Sequence, residues 1–267
     1  MRFPVLAFLF LSYAAPAAAQ ELPEGQGEAE FRAAYDSSPG FRGGILSFEA
    51  WQQAAGVAGV LPTWQVVRTA SMWRECNGAP FEVPPASFWP DMVKTLRFIR
   101  DHVRPAVGPV ESVSGYRNPA LNACARGSQR SAHLDFFALD LVPVQPLTRR
   151  QLFERVCPMH SAHGPTADVG LGFYSFTRFH IDTRGFRRWG SAGPAGGESP
   201  CAVLERGEDP EAPPLPATVV AAPAQPLLVP AQTDSVPPSA PAGRPPISDP
   251  TPSSSTVQGD SPNNPST

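Results

Sequence analysis

The sequence has no excess of positive charge. Its 267 residues contain 21 lysines and arginines against 24 aspartates and glutamates, which gives a formal net charge of -3 at pH 7. Domains that bind nucleic acid need a basic patch or stripe that neutralises phosphates. We therefore expect no nucleic-acid partner.

The sequence also lacks a hydrophobic run long enough to cross a bilayer, because a membrane-spanning helix needs about 20 apolar residues. A short apolar run at residues 3–11 follows Arg2 and precedes small residues at 17–19. This layout is typical of a secretory signal peptide, residues 1–19, and no cysteine follows it to carry a lipid. We predict a protein secreted across the inner membrane into the periplasm, with no stable membrane insertion after cleavage. A retained N-terminal anchor is the alternative.

Cysteine is scarce. The four cysteines are Cys76, Cys124, Cys157 and Cys201. An even number in an exported chain predicts one or two disulfides, and three pairings are open. The spacing of Cys157, His160 and His163 also suits a metal ion, but an oxidising compartment favours the disulfide.

Proline, in contrast, is abundant, with 34 residues. Residues 205–267 are rich in proline, alanine, serine and threonine and contain no aromatic residue. Such a segment buries too little apolar surface to offset its ordering entropy, so we predict a disordered tail. Residues 20–44 are rich in glycine and glutamate and are expected to be weakly structured. The compact domain is therefore predicted at residues 45–204.

Apolar spacing within this domain predicts both helices and strands. Apolar positions at helical spacing behind a proline and an acid predict a helix at residues 90–103. A second helix is predicted at 147–156, and Ser47 is a candidate N-cap of an earlier one. Four strands are predicted, at residues 110–116, 138–142, 170–174 and 178–182, and the last two are close enough for a hairpin. The predicted fold class is α+β, with early helices packed on a small, mainly antiparallel sheet.

Two histidines and an aspartate have the pattern of a metal site. His133 and Asp140 are seven positions apart, and His180 follows on a later apolar strand. Two imidazole nitrogens and one carboxylate oxygen are ligands of a catalytic zinc ion whose fourth position stays open for water. Strand alternation places His180 and Asp182 on one face, which can meet Asp140 on a neighbouring strand. We predict one zinc ion here. A structural hydrogen-bonded role is the alternative for each histidine.

Several segments, in this order, resemble the M15 zinc peptidases, which include D-Ala-D-Ala carboxypeptidases, dipeptidases and murein endopeptidases. The segments are Ser114-Gly-Tyr-Arg117, Ser131 with His133 and Asp140, Gly-Phe-Tyr174 with Phe-His180-Ile-Asp182, and Arg188-Trp189-Gly190. The resemblance covers about residues 109–190. It implies a fold like that of hedgehog domains and D-Ala-D-Ala peptidases, zinc bound by the two histidines and the aspartate, and peptidoglycan stem peptides as the substrate.

The same resemblance assigns roles to two further residues. Arg117 matches the family arginine that stabilises negative charge on the carbonyl or carboxylate of the substrate. A turn arginine paired with a surface acid is the alternative. Ser131 matches a position near the substrate, although an N-cap or turn serine fits this residue as well.

The general base is where the chain departs from the family pattern. Many members carry an acid three residues before the last zinc histidine, and this chain has Thr177 there. Asp182 shares a strand face with His180 and is either the base or a carboxylate that orients a zinc histidine. Asp135 is a third candidate.

The sequence therefore predicts a zinc metallopeptidase that hydrolyses peptidoglycan stem peptides or their cross-links. The missing acid at Thr177 keeps a second hypothesis open, a non-catalytic peptidoglycan-binding or scaffold protein that retains the fold. A structural exported domain without metal is the third. Nothing in the sequence distinguishes a terminal scissile bond from one within a cross-link.

Overall fold

The computed structural model describes residues 24–190 and 198–211. They belong to the first of two compact units, Met1–Leu215, and the second unit, Pro216–Thr267, lies outside the described residues. The predicted signal peptide and nearly all of the predicted tail also lie outside them and stay predictions. In the described ranges, no helix is long and apolar enough to span a bilayer.

Two helices begin the described chain, α1 at Glu28–Ser37 and α2 at Pro39–Ala54. Helix therefore occupies most of the segment that we expected to be weakly structured. Its glycines disfavour an isolated helix, but Ile45 and Phe48 of α2 are fully buried in the core. Burial of an apolar face overrides weak helix propensity.

The expected N-cap at Ser47 is wrong. Ser47 lies inside α2, where its hydroxyl donates to the backbone carbonyl of Gly43. The N-cap is Ser38, whose Oγ accepts from the backbone amide of Phe41. Because Pro39 follows Ser38, the helix begins where proline is well tolerated.

The predicted central helix is confirmed. Helix α4 is Trp89–Phe98, and it continues through a π-helical turn, Ile99–Val103, into α5, Arg104–Val107. Its fully buried side chains are Met92, Leu96, Ile99 and Val103. Shorter helices are α3 at Thr63–Val66, α6 at Pro119–Cys124 and a 3-10 turn at Ala86–Phe88.

Five strands form one sheet in the order β1-β2-β4-β3-β5. The strands are β1 at Val110–Ser114, β2 at Ala138–Pro143, β3 at Gly170–Phe173, β4 at Phe179–Asp182 and β5 at Arg187–Trp189. Neighbouring strands are antiparallel except β3 and β5, which are parallel. The α+β class with a mainly antiparallel sheet is confirmed, as is the β3–β4 hairpin. Strand β5 was not predicted.

One face of the sheet is apolar and packs on the helices. Leu139 and Leu141 of β2 and Ile181 of β4 are fully buried in the same cluster as the side chains of α4 and of helix α7, Arg149–His163. Helix α7 extends beyond the predicted 147–156. The opposite face of the sheet carries the polar residues.

Two disulfides resolve the cysteine pairing that the sequence left open. Cys76 bonds to Cys124 at the end of α6, and Cys157 of α7 bonds to Cys201 of the last helix, α8 at Pro200–Glu205. The disulfide prediction is confirmed, and Cys157 is not free to bind a metal.

Candidate metal centre

The polar face of the sheet brings His133, Asp140 and His180 together. His133 Nε2 lies 3.2 Å from both Asp140 Oδ1 and His180 Nδ1, and His180 Nδ1 lies 2.9 Å from Asp140 Oδ1. Each of the three residues is at most 3% exposed. The three predicted ligand residues therefore direct one atom each at a common point.

The spacing of these atoms suits a metal ion. Zinc bonds of about 2.0–2.2 Å in a tetrahedral site place neighbouring ligand atoms about 3.3 Å apart. The three atoms form a triangle with edges of 2.9 to 3.2 Å. Two nitrogens and one oxygen are a donor set that zinc and other divalent transition metals accept.

Strand register explains why these side chains meet. Asp140 is opposite His180 in the β2–β4 pair, and Gly172 is opposite His180 in the β3–β4 pair. A Cβ on Gly172 would lie 2.2 Å from the indole of Trp189. Glycine in β3 thus leaves the space through which Trp189 reaches His180, and their ring centroids are 4.8 Å apart.

The His133 ring is oriented by a backbone carbonyl. Its Nδ1–H donates to the oxygen of Gly115 at 2.6 Å. Because a carbonyl only accepts, Nδ1 carries the proton and Nε2 presents its lone pair to the cluster. A Cβ on Gly115 would lie 2.5 Å from the carbonyl oxygen of Val66, so this close approach requires glycine.

The His180 ring is oriented by Asp182. His180 Nε2–H donates to Asp182 Oδ2 at 2.9 Å, so its Nδ1 faces the other ligand atoms. Asp182 is fully buried and also accepts from the guanidinium of Arg187 and the backbone amide of Arg184. Asp182 therefore lies behind His180, away from the ligand atoms. This position matches the orienting role rather than that of a base.

Burial and charge set the protonation of the cluster. Burial, followed by the Arg117 guanidinium, lowers the pKa of His133 to about 4. Burial by itself raises the pKa of Asp140, but His133, Arg178 and hydrogen bonds from the imidazoles hold it well below its usual range. Burial likewise opposes a charge on His180, yet hydrogen bonds to Asp140 and Asp182 raise its pKa. A neutral His133 beside an ionised Asp140 is the state that a metal needs.

The structure places Arg117 at the cluster. Its Nη2 donates to Asp140 Oδ2 at 2.8 Å and lies 3.3 Å from His133 Nε2. Arg117 also donates to Ser114 Oγ, at 3.0 Å from Nη2. The β1–β2 register shifts between Ser112 and Ser114, and such a bulge re-aims the strand so that Ser114 lies opposite Asp140.

Sequence reasoning assigned no role at the site to Arg178 or to Tyr174, although Tyr174 belongs to one of the matched segments. Arg178 Nη2 donates to Asp140 Oδ2 at 2.6 Å, and its guanidinium lies 5.2 Å from the centre of the Tyr174 ring. Loss of solvent, and then the Asp140 charge, raises the pKa of the Tyr174 hydroxyl, which therefore stays protonated at neutral pH. Strand alternation could have placed Arg178 at the site, because residues 178, 180 and 182 lie on one face of the strand.

The other predicted candidates make contacts away from the ligand atoms. Ser131 Oγ accepts from the backbone amide of His133 at 3.3 Å, which fits the turn-serine alternative. Asp135 forms an ion pair with Arg184 at 3.0 Å. Thr177 lies in the hairpin link between β3 and β4.

His160 also belongs to a structural network rather than to a metal site. Its Nε2–H donates to the carbonyl of Val169 at 2.8 Å, and its Nδ1 accepts from Arg188 Nε at 3.1 Å. His163 stacks on His102, with ring centroids 4.1 Å apart. With Cys157 in a disulfide, the alternative metal cluster on α7 is not formed.

Comparison of the chain with protein-family models, with curated proteins and with solved structures finds no match. The family resemblance therefore stays a prediction from the motifs. The fold and the site define an α+β domain with a buried His-Asp-His group that can bind one metal ion.

Proposed function

We propose that the protein is a zinc-dependent peptidase that hydrolyses peptidoglycan stem peptides or their cross-links in the periplasm. The observation that carries this proposal is the convergence of three ligand atoms from His133, Asp140 and His180 within 3.2 Å of one another. In each imidazole, the nitrogen that faces away from the cluster donates to an acceptor, the Gly115 carbonyl for His133 and Asp182 for His180. Metal-binding histidines usually have such a partner. The motifs shared with the M15 peptidases supply the substrate class.

Each side chain at the site has a chemical task in this proposal. His133, Asp140 and His180 would hold the zinc ion, which would supply a Lewis acid and a water nucleophile at neutral pH. Arg117, beside His133 Nε2, would stabilise negative charge on the carbonyl or carboxylate of the substrate. Tyr174, as a neutral phenol, can donate a hydrogen bond near Asp140. Asp182 would keep Nε2 of His180 protonated and its Nδ1 available.

A specific observation supports a second candidate, a non-catalytic peptidoglycan-binding or scaffold protein. Thr177 stands where many family members have an acid. Asp182, the nearest substitute, uses both oxygens to bond His180, Arg187 and Arg184. Neither Asp182 nor Asp135 hydrogen-bonds to a ligand atom within the described residues. A domain that binds zinc and cell-wall peptide without a base would have this arrangement.

Metal analysis combined with a hydrolysis assay tests both candidates. The first predicts stoichiometric zinc in the purified protein and release of amino acids or cleaved stem peptides from peptidoglycan, detected by mass spectrometry. A chelator should abolish the release and added zinc should restore it. His133→Ala should lose both zinc and activity, whereas His163→Ala is the matched control because His163 is exposed on α7.

The outcomes separate the candidates. Zinc binding without hydrolysis, together with retention on insoluble peptidoglycan, supports the scaffold. Full hydrolysis by protein stripped of metal contradicts the peptidase proposal, and so does a protein that binds no zinc.

A further inference from the structure

Two arginines from different parts of the chain converge on one carboxylate oxygen. Arg117 Nη2 lies 2.8 Å and Arg178 Nη2 lies 2.6 Å from Asp140 Oδ2. The other oxygen of Asp140, Oδ1, faces the two imidazoles. A single negative charge is therefore shared by two guanidinium groups at Oδ2, and Arg117 is also close to His133 Nε2.

The remaining acid does not balance this excess of positive charge. Asp182 lies behind His180, where Arg187 already pairs with it at 2.8 Å. The neighbourhood of Asp140 thus has one more guanidinium than carboxylate before any metal binds. Such a site is complementary to an additional anion.

Arg178 uses only part of its hydrogen-bonding capacity. Its Nη2 makes the short bond to Asp140, its Nη1 makes a bond of 3.3 Å to Ser71 Oγ, and its buried Nε has no hydrogen-bond partner among the described residues. The Arg178 side chain is 24% exposed, against 11% for Arg117. Because a guanidinium has five donors, Arg178 can donate to an entering anion through donors that Asp140 does not use.

A disulfide fixes the surroundings of both arginines. Ser71, the second partner of Arg178, precedes Cys76 by five residues, and Cys76 is bonded to Cys124. Cys124 ends α6, which begins at Pro119, two residues after Arg117. The disulfide therefore connects the segment that follows Arg117 with the segment that contains Ser71, a hydrogen-bond partner of Arg178.

We propose that Arg178, together with Arg117, binds the free C-terminal carboxylate of the peptide substrate and thereby makes the enzyme a carboxypeptidase. This inference rests on the proposed peptidase function. Arg117 lies within hydrogen-bonding range of a ligand atom, and successive residues of a peptide are only about 3.8 Å apart. A carboxylate held by these guanidiniums therefore belongs to the residue next to the scissile carbonyl.

The reaction balances as a simple hydrolysis. One water is consumed, the carbonyl carbon gains a hydroxyl, the C–N bond breaks and the leaving nitrogen gains a proton. The products are a peptide shortened by one residue and a free amino acid. Arg178 contacts the substrate and acts as a specificity-determining residue, because a bond whose leaving residue is amidated or extended at its carboxyl group has no carboxylate at this position.

Paired substrates provide the test. A synthetic stem peptide ending in D-Ala-D-Ala is compared with the same peptide as its C-terminal amide, using the zinc-loaded protein. The acid should be cleaved with the higher kcat/KM, and Arg178→Gln should lower that value by about 10- to 100-fold, the usual effect of losing a charge-assisted hydrogen bond. The rate on the amide should fall less in the variant than the rate on the acid. Arg178→Lys should restore part of the preference, and Arg32→Gln, on exposed α1, is the matched control.

A binding readout makes the proposal independent of turnover. Calorimetric titration with N-acetyl-D-alanine should give weaker binding in zinc-loaded Arg178→Gln than in the zinc-loaded wild type, and N-acetyl-D-alaninamide should bind poorly to both forms. Equal cleavage of acid and amide, or equal binding of the probe by both forms, overturns the role of Arg178 while leaving the peptidase proposal intact. If the wild type hydrolyses neither peptide but binds the probe more tightly than Arg178→Gln does, the peptidase proposal is contradicted and the anion site is supported.

Discussion

At the scale of the residue, each candidate ligand depends on a partner behind it. The backbone of Gly115 orients His133, and Asp182 orients His180. These partners decide which ring nitrogen carries a proton, and hence whether the other can bind a metal. Asp182 is for this reason more important to metal binding than its distance from the ligand atoms suggests.

Replacement of Asp182 by asparagine should weaken zinc binding by about 10- to 100-fold, as loss of such a partner generally does. Competition with a chromophoric chelator measures the affinity. Asp135→Asn is the control, since Asp135 pairs only with the half-exposed Arg184 among the described contacts. If Asp182→Asn keeps full zinc affinity yet loses hydrolysis, Asp182 is the base and the orienting role is wrong.

At the scale of the element, the sheet owes its polar face to small residues in β2 and β3. Ala138 and Gly170 lie opposite Asp182 on either side of β4. A Cβ on Gly170 would lie 2.4 Å from Asp182 Oδ2. A larger residue at Gly170 would fill the space that Asp182 and Arg187 occupy.

The substitution Gly172→Ala should destabilise the protein by about 1–3 kcal/mol, the common cost of overpacking, because its Cβ collides with Trp189. Urea denaturation measures the change. Gly43→Ala in α2 is the matched control, because a Cβ there meets no atom within 4 Å, and its effect should be neutral or slightly stabilising. Equal stabilities of the two variants would contradict the packing argument.

The contact of α7 with β5 and α8 depends on a neutral histidine. His160 is fully buried, and Arg188 links its Nδ1 to Glu205 of α8. Burial lowers the pKa of His160 below its ordinary 6.5. The corresponding stability is present above the unfolded pKa and is lost as the pH falls through the folded one.

Between pH 7 and pH 5, the unfolding free energy of the wild type should therefore fall more steeply than that of His160→Asn. One proton accounts for at most about 1.4 kcal/mol per pH unit. Urea denaturation at a series of pH values gives both slopes. His133, with a pKa of about 4, adds a similar dependence in both proteins and cancels in the comparison. Parallel curves would contradict the role of His160.

At the scale of the whole molecule, a bound metal adds stability because the ligands converge only in the folded state. A free zinc concentration of about 100 times Kd stabilises by about 2.7 kcal/mol, which raises Tm by roughly 5–10 °C for a domain of this size. Scanning calorimetry with zinc and with chelator measures the shift. Magnesium should have little effect, since it prefers oxygen ligands. A shift of the same size in His133→Ala would place the metal elsewhere.

Local patterns predicted most of the fold near the site. The 90–103 helix, the hairpin and the joint face of His180 and Asp182 were readable because each depends on residues close in sequence. The helix around Gly43 and strand β5 could not be predicted from local patterns. Their local propensity is weak, and long-range packing stabilises them.

The sequence by itself determined the three candidate ligands, since residue type and strand alternation select His133, Asp140 and His180. Only the tertiary structure decided the pairing of the cysteines, the position of Asp182 behind His180 and the approach of Arg178 to Asp140. The disulfides and the contact of Arg178 with Asp140 join residues that are far apart in the chain. The position of Asp182 depends on which nitrogen of His180 it contacts. Register, disulfide geometry and the space left by glycine set them, and each of these exists only once the chain has folded.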